Sequence, residues 1–499
     1  MKVDIIGAGV AGLCLGIRLQ RRGVSTVLYE AGARAGGLCT NWRRGDYDFN
    51  GCLHWVLGAR RGSSFYDMWR SVADIDSLRF VDFDERVDIE VPEADGSTWH
   101  FHLYNDVDRF ESYMLSLAPE DEATIRGWAI AVRTVMRFLP NLPPFPTEKS
   151  LVGRAWHYVG LWPMWRMLPL MRKWGGLTTR SFADTLRNER LRNAVRRLYM
   201  DEVRMTVVIF GQAYMACRVA AYPIGGSAAL TDLLVRTYES LGGRIEYHAL
   251  VENIRVEDNK AVGLTLADGR ETVADAVCSC ADWQWTVGSA LGGRYLSAAQ
   301  AELLDAPKER IFYSYVRAHI GIAQDLSHLP HFCRLAVDLN LPDGRHFDQM
   351  EVEINHFDST LAPQGKTTIS VNFTTREGGW WIDMRKKDPT TYKEAKSQFA
   401  EMVVNTLAEK FKGEIDTSRI EVIDVPTPAT YYRYTHNSLG SSQGWSPQDN
   451  LMKRLPIDPA LPGLNRFAMA GHWLEAGGGL PIALYSALRA EKIIMRQIG

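Results

Sequence analysis

Apolar residues in this chain gather in short runs separated by glycine-rich turns. Val3, Ile5 and Ile6 form a strand-like start, Gly7-Ala8-Gly9-Val10-Ala11-Gly12 turns the chain, and residues 13–22 have helical character until Gly23. A second run, 25–29, is rich in β-branched residues and ends at Glu30. The rhythm returns after Tyr222-Pro223-Ile224-Gly225-Gly226-Ser227, with a helical stretch to Leu241, strands through Ile245, Val251 and Ile254, a hairpin at 267–270 and a run over 274–278. It returns again at 467–471, a buried strand followed by Gly477-Gly478-Gly479-Leu480-Pro481 and a helix through Leu484 and Leu488 to Ile493. Between these segments, alternation over 312–322, 349–354 and 367–373 predicts strands of an antiparallel sheet. Residues 126–197 read as mainly helical, and 427–437 as an irregular aromatic segment leading to Gly440, Gly444 and Trp445.

A length of 499 residues implies two to three domains. The hydrophobic fraction of 46% and charged fraction of 23% are those of a soluble globular chain, and no uncharged apolar run reaches the roughly 20 residues a membrane span needs. A net charge of −2 gives no bulk argument for a nucleic-acid or acidic partner. The apolar run begins at Val3, which leaves no room for a charged leader, so a cytoplasmic location is expected. Seven cysteines, at 14, 39, 52, 217, 278, 280 and 333, form no CxxC pair and no metal-ligand spacing; they read as reduced, mostly buried thiols, and no metal site is expected.

The opening strand, glycine turn and helix carry a definite chemistry. Gly7 permits the tight turn, Gly9 admits a pyrophosphate close to the backbone, and Gly12 lets the helix sit tightly on the sheet. Free N–H groups at the helix start, that of Ala11 among them, face the anion. Glu30, 18 residues after Gly12, accepts from ribose hydroxyls and repels a 2′-phosphate. This fingerprint leaves NAD and FAD both open.

The next segment separates them by resemblance. Glu30-Ala-Gly-Ala-Arg34-Ala-Gly36-Gly37 resembles the E-x-x-x-R-x-G-G pattern of the flavoprotein group that contains amine oxidases, carotenoid desaturases and carotenoid isomerases. The order of segments over 222–278, the 45–55 loop and the C-terminal glycines match the same group, and the resemblance spans nearly the whole chain as a frame. It implies an α/β fold, with a Rossmann-like FAD-binding domain of the glutathione-reductase type and an interleaved α+β substrate domain. The expected boundaries are 1–90, 215–290 and 451–499 for the first, and 91–214 with 291–450 for the second. By this resemblance FAD contacts fall on Gly7, Gly9, Ala11, Gly12, Glu30, Arg34, Gly36, Gly37, the backbone of Val251, Gly471, Gly478, Gly479, Leu480 and Pro481. Gly51 is placed where backbone meets the flavin ring, with His54 and Trp55 lining the reaction face.

Two details divide the group. Ser486-Ala487 after the C-terminal glycines resembles the desaturase branch, where amine oxidases usually have serine-glycine. In the strand over 312–322, where amine oxidases commonly place a flavin-bridging lysine, this chain has Ser314-Tyr315-Val316-Arg317. The resemblance therefore implies a phytoene-desaturase-like, carotenoid-isomerase-like or retinol-saturase-like enzyme acting on carbon–carbon bonds of an apolar, polyene or isoprenoid substrate. A flavin amine or amino-acid oxidase, a natural-product tailoring oxidase and a non-enzymatic prenyl-binding carrier of the same fold are the alternatives. His54 is the first candidate for a general base, since imidazole titrates near neutrality, and His472 the second. Tyr432, Tyr434, His436 and Trp445 are candidates for substrate contact beside Trp55. Residues 126–197 hold 14 Lys/Arg against three acids and include a Trp- and Met-rich stretch at 155–169, so peripheral membrane contact through 155–176 is an expectation.

Overall fold

The computed structural model describes residues 1–141, 167–199, 203–304, 308–446, 457–475 and 477–499. Strand Lys2–Ile6 is buried along nearly its whole length, as a central parallel strand covered on both faces must be. It lies at the middle of a five-stranded parallel sheet whose order is 244–246, 25–29, 2–6, 276–279, 467–469. Three separated stretches of sequence thus build one sheet. The first helix, Val10–Gln20, buries Leu13, Leu15, Ile17 and Leu19 against it and packs on both helix Gly226–Ser240 and the last helix, Gly479–Ile498. The expected helices and strands of this unit are present within a few residues of the expected bounds.

A second, seven-stranded sheet has the order 420–424, 314–322, 367–375, 346–354, 332–340, 85–92, 98–104. Its pairs are antiparallel except 332–340 with 85–92. Strand Glu85–Pro92 therefore lies wholly in this sheet, and the boundary expected at 90 falls inside it. One face packs on helix Pro389–Lys410 through Phe373 and Phe399, whose rings meet edge to face at 5.7 Å. Helices Glu122–Phe138, Leu168–Trp174 and Met205–Ala216 form a further core with the 85–104 hairpin.

The segment expected to be irregular differs. Pro428–Thr435 is a helix, because Thr427 and Thr430 form a capping box and Pro428 stands at the first helical position. Such a cap is worth about 1 kcal/mol, and it fixes which aromatics of this segment point inward.

Candidate active site

The cofactor cradle can be tested on its own geometry. A Cβ on Gly12 would stand 2.0 Å from the Gly7 carbonyl oxygen, so turn and helix approach more closely than any other residue permits. Gly36 has φ +120° and bridges to Gly9; a Cβ there would meet the Cys39 carbonyl oxygen at 2.5 Å. The first helix begins at Gly9 without a side-chain cap, which leaves its N–H groups for an anion. Glu30 is buried, and its carboxylate accepts from the N–H groups of Ala8 at 2.9 Å and Gly32 at 2.8 Å. Burial pushes its carboxyl above the usual range, against these donors. Arg34 is exposed on the same loop, and Val251 is buried at the start of strand Val251–Glu257.

The C-terminal segment is built alike. Gly471 takes φ +128°, and its N–H donates to Ser486 Oγ at 2.8 Å. Gly478 takes φ +39°, and a Cβ there would meet the Gln443 carbonyl oxygen at 2.1 Å. Gly479, Leu480 and Pro481 begin the last helix, again without a side-chain cap. His472 Nε2 is buried with no hydrogen-bond partner, and burial lowers its pKa to about 4, so the ring is neutral and carries an unmet polar atom. Uncapped helix starts, a buried carboxylate with lone pairs left over and an orphaned imidazole nitrogen are groups that fit the two ends of FAD.

Between these ends the chain runs Asn50-Gly51-Cys52-Leu53-His54-Trp55. Asn50 Oδ1 accepts from Ser227 N–H at 3.1 Å and Ser227 Oγ at 2.7 Å, which pins the loop to the start of helix Gly226–Ser240. Arg317 comes up from the second sheet, 6% exposed, and donates to the Gly51 carbonyl. Its guanidinium lies 4.2 Å from the Tyr315 ring centroid, and its Nε has no partner. A buried cation therefore occupies the strand in which a lysine was absent.

His54 and Glu353 form an ion pair, Nδ1 to Oε1 at 3.0 Å. The carboxylate also accepts from Asn372 Nδ2 at 2.8 Å. Glu353 raises the pKa of His54 to about 9, outweighing the loss of hydration. Burial raises Glu353, but His54 and Arg317 hold it well below the usual carboxylate range. At neutral pH His54 is an imidazolium, which donates a proton and accepts none; a base role at that position is thus disfavoured by its partner. His319, two residues from Arg317, is the opposite case: fully buried, stacked on Phe49 at 5.3 Å and pushed down to about 3 by burial and then by Arg317. The Cys52 thiol is lowered to about 7 by a hydrogen bond from Cys39, then by Arg317 and His54, against burial. The face carrying Gly51 is positively charged.

Of these groups, His54, Tyr315, Glu353 and Asn372 open onto a cavity of about 1780 Å³ that reaches Gln443 and Gly477 beside the last helix. Of the substrate candidates, Trp55 lines it. Trp445 does not: it is fully buried between Trp283, at 5.8 Å, and Trp473, at 5.3 Å, and serves the core. Tyr432 and Tyr434 are 41% and 59% exposed on the outer side of their helix, and His436 caps its end in the left-handed region, facing solvent. The capping box turns Tyr431 inward instead, beside Arg317, with its hydroxyl buried and unpartnered. Sequence reasoning also missed Glu353 and Tyr315. They sit on alternating strands, where the pattern tells which face is covered but not what covers it.

Two segments match known families: residues 5–72 the NAD(P)-binding Rossmann-like domain, and 163–284 the flavin containing amine oxidoreductase. A chloroplastic prolycopene isomerase of Daucus carota is 29% identical over 230 residues, 44% of this chain and 35% of the carrot protein. A lycopene-forming phytoene desaturase of Pseudescherichia vulneris is 27% identical over 339 residues, 66% of this chain and 65% of that protein. The chain thus spans between about a third and two thirds of the length of these relatives. A solved oxidoreductase from Methanosarcina mazei superposes with a TM-score of 0.62 at 18% identity, covering 99% of this chain and 100% of that one, which establishes the fold.

Proposed function

We propose that this chain, an FAD protein of the flavin-containing amine oxidoreductase type, acts on carbon–carbon bonds of a long, largely apolar substrate of the polyene kind, by desaturation, saturation or isomerisation. The cavity supports this reading most directly. At about 1780 Å³ it exceeds the roughly 300–1,000 Å³ of pockets for drug-sized ligands, and Phe83, Phe332, Phe347 and Phe357 join Trp55 and Tyr199 in its wall. The relatives named above are carotenoid isomerases and desaturases by name.

FAD, when bound, supplies hydride transfer. The chain's own residues do the rest. Gly7, Gly9 and the first helix would hold the pyrophosphate end, with Glu30 on the ribose, and Gly471 with Gly478–Pro481 would hold the ring end. Arg317 fixes the Gly51 carbonyl and, with the His54 imidazolium, would offer positive charge to a flavin bound at Gly51, whose reduced form is anionic. His54 is also placed to deliver a proton into the cavity, since Glu353 keeps it charged. Anaerobic mixing of a detergent-dispersed C40 polyene with the oxidised flavin-loaded chain is expected to give a product two hydrogens lighter, with the dithionite-reduced chain a product two hydrogens heavier, or with either a geometric isomer of equal mass. Flavin bleaching by amines with ammonia release, and an unaltered polyene, would reject the reading.

We also infer peripheral membrane contact. No helix among the described residues is long and apolar enough to cross a membrane. Residues 155–166 of the expected contact segment lie outside the described residues, but the rest carries Leu168 and Met171, 48% and 44% exposed, beside Arg172 and Lys173. Val207, on the helix against which it packs, is 59% exposed, and Ile130, on the next, 60%. Apolar side chains beside cations suit an anionic bilayer surface. The protein is expected to sediment with anionic liposomes and to lose most of that binding on Val207→Asp with Met171→Asp. Recovery of the wild type wholly in the supernatant would sink the idea.

A further inference from the structure

The cavity has a charge that a hydrocarbon does not need. Its wall includes eight arginines against three carboxylates, Asp348, Glu351 and Glu353. Several of these arginines are engaged: Arg334 with Glu351 at 3.1 Å, Arg197 with Asp348 at 3.7 Å, Arg196 with Asp184. Arg86 differs. Its guanidinium lies 5.1 Å from the Trp55 ring centroid and 5.6 Å from that of Tyr199, held between two aromatic side chains. Its Nη1 is buried without a hydrogen-bond partner, and no carboxylate pairs with it among the described residues.

The surrounding structure makes room for this group. Gly211 lies inside helix Met205–Ala216, where glycine is unfavourable, and a Cβ there would stand 2.9 Å from Nη1 and 3.1 Å from Nη2 of Arg86. A guanidinium kept next to Trp55, one residue from His54, has five donors, none of them paired to a carboxylate among the described residues, and its Nη1 is buried without a partner. Leaving such a group unsatisfied is costly, and a planar oxyanion is its natural complement.

We propose that Arg86 is an anion-recognition residue of this cavity, and that the substrate is a long apolar chain bearing a carboxylate or phosphate. The proposal rests on the reading of the cavity as the substrate site, and it narrows the substrate from a hydrocarbon to an amphiphile. Trp55 and Tyr199 orient the guanidinium, and the apolar wall takes the chain.

Binding is measured by tryptophan quenching in the full flavin-loaded chain, with three probes of equal chain length: a C18 trienoic acid, the corresponding alkyl phosphate and the corresponding alcohol. One or both anions are expected to bind at least tenfold more tightly than the alcohol, and the tighter one identifies the group. Arg86→Gln is expected to abolish that ratio while flavin content stays at the wild-type level, and Arg86→Lys to restore part of it. Gly211→Ala leaves Arg86 in the chain but crowds its guanidinium, so it is expected to cut the ratio several-fold without unfolding the helix, even if Arg86→Gln fails to fold. Equal affinity for anions and alcohol, no binding of either anion, or a ratio untouched by all three substitutions overturns the proposal. A preserved anion preference in a protein that leaves polyenes unaltered rejects the carbon–carbon reading and keeps the subsite.

Discussion

Gly12→Ala is expected to yield a colourless protein. The added methyl group would stand 2.0 Å from the Gly7 carbonyl oxygen, which is backbone and has no rotamer to escape into. Either the first helix withdraws from the sheet or the turn opens. Overpacking of this kind costs about 1–3 kcal/mol or more in stability, but the larger expected effect falls on the cofactor, because both responses displace the N–H groups proposed to receive the pyrophosphate. Flavin absorbance relative to protein absorbance after purification is expected to fall more than tenfold. Gly176→Ala is the control: nothing lies within 4 Å of its Cβ position, and flavin content is expected to remain at the wild-type level. A yellow Gly12→Ala protein would mean that the dinucleotide does not sit on this turn.

The same geometry explains what was legible in the sequence. The contacts of Gly7, Gly9, Gly12 and Glu30 are set within one strand–turn–helix–strand unit, so their spacing along the chain is their spacing in space. Gly471 and Gly478 are likewise written next to the strand and helix that use them. The proposed reaction face is assembled differently: Gly51 from a loop, Arg317 and Glu353 from two strands 36 residues apart, Arg86 from a hairpin that crosses the expected domain boundary. No local spacing encodes that convergence. Side chains on the 427–437 segment cannot face one way as a group, because a helix spreads neighbours by about 100°: Tyr431 turns inward beside Arg317 while Tyr432 faces out. Trp445 looked like a loop aromatic because the two tryptophans that bury it lie at 283 and 473. Arg317 was visible as the residue standing where a lysine was missing; its burial, which makes it matter, was not.

Glu353→Gln is expected to reverse the pH dependence of stability contributed by this site. In the wild type His54 has a pKa of about 9 in the folded chain against 6.5 as its ordinary value. A raised folded pKa stabilises fully below 6.5, and that stability is lost as pH rises through 9. Glu353 is depressed relative to its ordinary 4.5, so its contribution is present above 4.5 and is lost only as pH falls below it. Between pH 4.5 and 6.5 the pair therefore contributes a constant amount, and between 6.5 and 9 a falling one. With glutamine at 353 the carboxylate that raised His54 is gone; loss of hydration, which lowers it, remains as the largest cause, with Glu351 raising it and Arg317 lowering it by less. The imidazole then titrates below 6.5, and the unfolded chain binds the proton more readily than the folded one. The variant is expected to hold its stability between 6.5 and 9, where the wild type loses it, and to lose stability between 6.5 and 4.5, where the wild type holds it. Subtracting the two melting-temperature profiles removes every other titrating group. Parallel profiles would show that His54 does not feel Glu353. The catalytic consequence follows from the same shift: if His54 delivers a proton, the alkaline limb of turnover near pH 9 moves below 6.5, and at pH 8 the variant retains flavin but loses most of its rate.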